Sequence, residues 1–264
     1  MNYRLYISVM LLTLCTTLCL AQSRGRGAKN KEIEVRMLDL MGSASALNPV
    51  IKDSTLYFSS NKKNEVVVNH LNEEDDSHLY QIYSVLLRNG LPYGTPKVFM
   101  SGPQRPFNQV AIAFDNNGKL IITQNNLEVS SNRGSVLGIF EYGSPMQTNN
   151  GSLYMWQPKG RSVAYPTFSA DGKLMIFTSD MSGGEGSADL YYCELQNGSW
   201  SRPLNMGSVV NTPGVETSPY IHSSGKIFFA SNGRSDSRRL DIYYCFKTDN
   251  GFTEPIKYDG IINS

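Results

Sequence analysis

Four Asn-Gly pairs, Asn89-Gly90, Asn150-Gly151, Asn197-Gly198 and Asn250-Gly251, recur in this chain in steps of about 50 residues. The dipeptide is the strongest short hairpin signal, because a type I′ turn needs positive φ at both central residues. The surroundings repeat as well. An aliphatic-aromatic pair stands upstream of each: Ile82-Tyr83, Ile139-Phe140, Leu190-Tyr191 and Ile242-Tyr243. Further upstream lies a run of strand formers: Leu56-Tyr57-Phe58, Leu120-Ile121-Ile122, Leu174 to Phe177, and Ile227-Phe228-Phe229. Three of these runs follow a second turn signal, Asn117-Gly118, Asp171-Gly172 or Ser224-Gly225. Short strands precede that turn and follow each Asn-Gly. Each unit therefore reads strand A, tight turn, strand B, loop, strand C, Asn-Gly, strand D.

Four antiparallel strands in about 45–60 residues make one blade of a β-propeller. The expected fold is all-β: a β-propeller of four four-stranded antiparallel blades, near 45–100, 106–158, 164–206 and 216–258. Helical periodicity is missing after the first 21 residues, and alternation of period two replaces it. A β-sandwich is the rival, but a sandwich does not require one hairpin pair to resemble the next.

In the third repeat the residues become specific. Pro166-Thr167-Phe168-Ser169-Ala170-Asp171-Gly172-Lys173, then Phe177-Thr178-Ser179-Asp180, then Asp189-Leu190-Tyr191, resembles the TolB-like, WD-type propeller repeat. The fourth repeat follows with Pro219, Ser224-Gly225-Lys226, Phe229-Ala230-Ser231-Asn232 and Asp241-Ile242-Tyr243. The join from Trp200 to Gly207 and on to Val210-Asn211-Thr212 is similar to that of Gram-negative envelope proteins, in which the propeller often precedes an OmpA-like domain. The sequence holds no OmpA-like domain, so the resemblance brings no expectation of peptidoglycan anchoring. Repeats one and two depart from the pattern, with Asp53-Ser54 where Asp-Gly is expected and Thr123-Gln124 where Thr-Ser is expected.

The first 21 residues are apolar from Leu5 to Leu20, with Arg4 as their only charge. A small residue, Ala21, ends the run, which predicts a signal peptide cleaved before Gln22. A membrane anchor is the alternative. Residues 22–32 form a basic flexible segment and 33–264 the propeller. No later segment is long and apolar enough to span a bilayer as a helix. The chain is expected to be exported, in the periplasm or associated with the outer membrane. With 24 Lys+Arg against 23 Asp+Glu, it lacks the surplus of cations that a nucleic-acid backbone demands. Cys193 and Cys245 hold the same place in consecutive repeats. Neighbouring blades hold such positions about 10 Å apart, beyond the reach of a disulfide. Two unpaired thiols are expected.

Motifs for chemistry are scarce. There is no Gly-x-Ser-x-Gly elbow, no His-Glu-x-x-His and no nucleotide-binding glycine loop. The three histidines, His70, His78 and His222, have no ligand spacing, so neither a metal nor a cofactor is expected. Asp171 fits a hairpin turn, and Asp189 and Asp241 fit caps on the B–C loops. Those loops vary most and share one face of a propeller, so they form the candidate binding surface. Its charged members are Glu73, Glu74, Asp75 and Asp76 in the first loop, Arg133 in the second, Asp180 and Glu185 in the third, and Arg234, Arg238 and Arg239 in the fourth.

The reading that follows is an exported, non-enzymatic propeller that binds or scaffolds a protein partner in the cell envelope. The alternative is a glycan-binding or glycan-active propeller with its site at the central mouth. Self-association is expected as well. Residues 34–38 with Met41-Gly42 and Asn48-Pro49 resemble a strand D and its exit, and 259–264 match 207–212, which lead into the next blade. The expected ring is therefore open or incomplete, with strand edges that invite association.

Overall fold

The computed structural model describes residues 38, 40–42, 44–62, 79–99, 108–131, 134–143, 151–235, 239–259 and 263. The proposed signal peptide and strand 34–37 lie outside them. The structure is all-β, with four antiparallel sheets in chain order. Blade 1 is β1(Ala46–Lys52), β2(Thr55–Ser60), β3(Gln81–Arg88) and β4(Leu91–Val98). Blade 2 is β5(Gln109–Phe114), β6(Leu120–Ser131), β7(Gly134–Tyr142) and β8(Ser152–Leu153). Blade 3 is β9(Val163–Phe168), β10(Leu174–Ser179), β11(Asp189–Gln196) and an outer strand broken into β12(Ser199–Trp200) and β13(Leu204–Asn205). Blade 4 is β14(Glu216–Ile221), β15(Lys226–Ser231), β16(Asp241–Thr248), β17(Gly251–Phe252) and β18(Ile256–Lys257). This is the four-bladed propeller expected from the repeats. Its ring is not closed by hydrogen bonds: among the described residues no strand of blade 4 pairs with one of blade 1.

The sequence predicted alternating strands, and the inner strands do not alternate in burial. All six residues of β10 are buried, from Leu174 to Ser179. Blades 2 and 3 pack against a neighbour on both faces, so both sets of side chains in a strand such as β10 are covered, as in any doubly covered sheet. Alternation decides which neighbour a residue meets. Met175, Phe177, Tyr191 and Cys193 point toward blade 2 and pack with Ile121, Ile139, Met155 and Val163. Leu174, Ile176 and Leu190 point the other way and pack with Ile227, Phe229, Tyr243 and Cys245 of blade 4. Blades 1 and 2 share a third cluster, with Ile82 and Tyr57 against Ile112, Ile122 and Phe140. The remaining face of blade 1 (Leu56, Phe58, Tyr83, Val85) is covered by Met41 together with Leu38 and Leu40. Met41 thus does for blade 1 what Met206, followed by a glycine of the same sign of φ, does for blade 4.

Hydrogen bonds between neighbouring blades hold the inner strands in step. Asn48 Nδ2 and Ser59 Oγ both donate to Val110 O, at 2.8 and 2.9 Å. The Tyr165 amide donates to Thr123 Oγ1 and the Ile221 amide to Thr167 Oγ1, each at 3.1 Å. Every strand A carries one extra residue against its strand B. In three blades the bulge lies at a residue before proline with positive φ: Asn48, Tyr165 and Ser218. The residue before proline is ordinarily held in extended conformations. The triplet of matching X-Pro sites was visible in the sequence, but its bulge was not.

Turn chemistry follows the sequence with two exceptions. Asn89-Gly90 and Asn197-Gly198 have positive φ at both residues, as type I′ demands. At the fourth repeat the turn slips by one residue, and Thr248 pairs with Gly251, so Asp249 and Asn250 are its centre. Asn150 lies outside the described residues. In blade 1, Asp53 and Ser54 form a tight turn with φ of 49° and 57° and no glycine. A left-handed L-residue costs about 1–2 kcal/mol. Ser54→Gly is therefore expected to stabilise the protein by about 1 kcal/mol, read as a higher urea midpoint at unchanged m-value.

Cys193 and Cys245 are both unpaired and buried, each within a different interface between blades. Burial pushes both thiols from 9.0 up to about 12. A thiol reagent at pH 8 is expected to titrate both in urea and neither in the native protein. The unfolded thiols ionise first, so their contribution to stability is complete below about pH 9 and is lost as pH rises toward about 12. Urea midpoints across that range check the sign.

Candidate functional site

The B–C loops of blades 3 and 4 form a joint. Asp189 accepts the amides of Glu185 and Gly186 at 2.6 and 3.1 Å, which folds the glycine-rich loop back on its own strand, the cap expected of it. The loop then meets the connection into blade 4. The Ser187 amide donates to Gly214 O, the Glu216 amide to Ala188 O, and Ala188 bridges Val215 in parallel. A Cβ on Gly186 would stand 2.3 Å from both Gly214 O and Thr212 O, so only glycine fits there. Glu216 is fully buried and accepts from the Thr212 amide (2.8 Å), Thr212 Oγ1 (2.6 Å) and Ser231 Oγ (2.6 Å). A buried carboxylate met by three donors is the arrangement that makes such burial tolerable.

The expected site residues fall around this joint. Asp180 Oδ1 accepts the Ser162 amide at 2.7 Å, and Asp180 O accepts from Arg161. Glu185 gives its amide to Asp189 and keeps its side chain exposed. Arg234 donates to Val209 O and Val210 O, at 2.6 and 2.8 Å, and lies 6.0 Å over the Tyr243 ring. It ties the fourth loop to the connection between blades. Arg239 is exposed at the foot of β16. Glu73, Glu74, Asp75, Asp76, Arg133 and Arg238 lie outside the described residues.

The opposite face, which carries the A–B and C–D turns, holds a groove of about 890 Å³ between blades 2 and 3. It lies between two neighbouring blades, whereas a glycan site was expected at the central mouth. One wall is the blade 2 turn from Asp115 to Lys119 with Tyr154 and Trp156. The other is the blade 3 hairpin, including Trp200 and Arg202. Asn116 Nδ2 donates to Ala170 O at 2.6 Å and fixes the two A–B turns to each other. Tyr154, Phe168 and Trp200 form an aromatic triad with centroids 5.8 to 6.3 Å apart, the Tyr154–Phe168 pair edge to face. Trp156 beside them is 65% exposed.

Burial pushes the Tyr154 hydroxyl up to about 12, with Asp115 beside it adding to the rise and Trp200 opposing it. Asp115 Oδ1 accepts the amides of Asn117 and Lys119, at 2.9 and 2.8 Å. Lys119 pairs with Glu141 at 2.7 Å. In the facing turn Asp171 accepts from Ser169 Oγ and the Lys173 amide, which holds its carboxyl below 3.8. The groove thus offers exposed aromatic surface next to amide, hydroxyl, carboxylate and guanidinium groups, the mixture that small-molecule sites use. Its sequence signal was present in Tyr154, Trp156 and Trp200, which the repeat reading assigned to outer strands.

No known protein family's profile matches this chain, and no curated protein matches it. Solved structures do. The endo-arabinase from Bacteroides thetaiotaomicron aligns with 13% identity over 86% of this chain and 85% of that one, at a TM-score of 0.48. TolB from Acinetobacter baumannii aligns with 17% identity over 66% of this chain and 37% of that one, at 0.37. A puromycin-hydrolyzing peptidase from Mycobacterium tuberculosis aligns with 10% identity over 84% of this chain and 40% of that one, at 0.44. The chain thus spans about two fifths of the peptidase and TolB chains. The similarity is one of fold. The expectation that this chain is not an enzyme is corrected here: an arabinase and a peptidase are among its neighbours, so the fold does not exclude catalysis. Missing motifs do not exclude it either, because groups on separate blades meet only in space. The conclusion is one of architecture: the chain is a β-propeller of four antiparallel blades.

Proposed function

We propose that this chain is an exported propeller that binds or acts on a glycan, held in the groove between blades 2 and 3. The observation that carries the reading is Trp156, an indole 65% exposed beside the Tyr154–Phe168–Trp200 triad. A sugar ring has apolar C–H faces and a polar rim. Flat aromatic surface covers the faces, while Asn116, Asn117, Ser199, Ser201 and Arg202 serve the hydroxyls. The floor is preorganised, because its rings pack on one another and so lose little freedom when a ligand arrives. Asp115 lines the groove, and Glu141 pairs with Lys119 of the same wall.

Titration of the mature protein with a panel of soluble polysaccharides tests the proposal. Binding of at least one is expected, with affinity lowered about 10- to 100-fold by Trp156→Ala at unchanged thermal stability. Binding that survives this change overturns the groove as the site. Scoring the same panel for new reducing ends distinguishes cleavage from binding.

Export rests on the apolar run from Leu5 to Leu20 and the small residue at Ala21. Among the described residues no helix is long and apolar enough to cross a membrane. The secreted or periplasmic protein is expected to begin at Gln22 by intact mass, and a membrane-held chain that retains Met1 would contradict export.

A further inference from the structure

The outer strand of blade 3 is broken between β12 and β13, and the break brings Ser201, Arg202 and Pro203 to the wall of the groove between blades 2 and 3. Ser201 builds the break. Its amide donates to Glu194 O at 2.9 Å, and its hydroxyl accepts the Glu194 amide and donates to Arg202 O, each at 3.0 Å. Pro203 then restricts the backbone of Arg202 from the other side. Blade 4 makes the same break between β17 and β18. The Thr253 amide donates to Phe246 O at 2.9 Å, Thr253 Oγ1 accepts the Phe246 amide at 3.0 Å, and a proline, Pro255, again stands two residues on. Where blade 3 has Arg202, blade 4 has Glu254, and both are exposed. Two breaks of one construction thus carry opposite charges at the same position. The break itself asks for neither charge, which leaves the Arg202 side chain free for another role.

The other charges that line the groove are answered within the protein. Asp115 Oδ1 accepts two amides of its own turn, and Lys119 pairs with Glu141 at 2.7 Å. Among the described residues the Arg202 guanidinium has no carboxylate or carbonyl partner. We propose that the groove selects acidic glycans, whose uronic-acid rings carry a carboxylate, and that Arg202 sets this preference, a proposal that rests on the groove being the glycan site. A uronic-acid ring keeps the apolar C–H faces that suit Trp156 and the triad beside it, and it adds a planar anion at its rim. A guanidinium meets a carboxylate through two parallel N–H donors, and the ionic pair is stronger than a bond to a neutral hydroxyl. A neutral ring can take hydrogen bonds from Arg202 but leaves its charge unanswered.

The test compares polygalacturonate, alginate and hyaluronan with the same polymers after their carboxyls have been reduced to alcohols. Calorimetry on the full mature protein reads the affinities at about 20 mM and about 500 mM salt. At least one acidic polymer is expected to bind about five- to tenfold tighter than its reduced counterpart at low salt, with most of that advantage lost at high salt. Arg202→Gln is expected to bring the ratio of the two affinities close to one, and Arg202→Lys to keep part of it. Glu254→Gln, at the matching place in blade 4, is the control and is expected to leave the ratio unchanged. Trp156→Ala is expected to weaken acidic and reduced polymers alike, about 10- to 100-fold, without changing their ratio. Acidic polymers bound no tighter than reduced ones, or a preference that survives Arg202→Gln, overturn the role of Arg202 and leave the groove as the glycan site. Binding of neither kind, or binding indifferent to Trp156→Ala, overturns the groove as the glycan site and the proposal with it.

Discussion

The contact on which everything else depends is the packing of one flat sheet on the next. A blade of four strands has two apolar faces and cannot hide either by itself. Buried apolar area is worth roughly 25 cal/mol per Å², so a blade left uncovered on both sides would lose most of what drives its folding. The chain solves this by stacking. The three joints between blades use the same positions of strands B and C, and the interleaved rings of Phe177 with Tyr191 and of Phe229 with Tyr243 recur with nearly the same geometry. The hydrogen bonds between inner strands follow from that stacking. They add register, since a hydroxyl such as Thr167 Oγ1 receives the amide of only one residue of the next blade.

Legibility in the sequence tracks how local the responsible physics is. Asn89-Gly90 and Asn197-Gly198 announced their turns because a two-residue loop leaves the backbone little choice. The slip at Thr248–Gly251 was hidden, since Asp249-Asn250 and Asn250-Gly251 are both acceptable turn centres and only the outer strand chooses between them. The bulges at Asn48, Tyr165 and Ser218 arise from fitting four inner strands around one axis, which no single segment can report. For the same reason the strands of highest burial, such as β10, show no useful alternation. The groove was least legible. It needs Asp115 and Trp200, 85 positions apart, to stand on opposite walls, and only the stacking of blades brings them together.

The two ends of the stack of turns have been put to different uses. Among the described residues of the B–C side, several polar side chains serve structure. Asp189, Glu216 and Arg234 satisfy backbone groups, and the glycines at 186, 214 and 233 allow chains to approach more closely than any Cβ permits. On the other side the turns are shorter and hold one another through single contacts such as Asn116 to Ala170. That leaves room between blades 2 and 3, and aromatic side chains fill its floor without filling its mouth.

Asn211 shows how closely each blade depends on its successor. Its amide both donates to Leu190 O and accepts from the Leu190 amide, so it completes strand C of blade 3 as a short extra rung would. The segment that carries it then enters blade 4. Asn263 does the same for Ile242 at the far end. At Asn211 the rung of blade 3 and the linker into blade 4 are thus one piece of chain. In the language of linear cooperative systems, the coupling between neighbours is covalent as well as energetic. Mechanical load or a protease acting at one end of the array would thus meet a series of linked latches, released in order from the outermost blade inward.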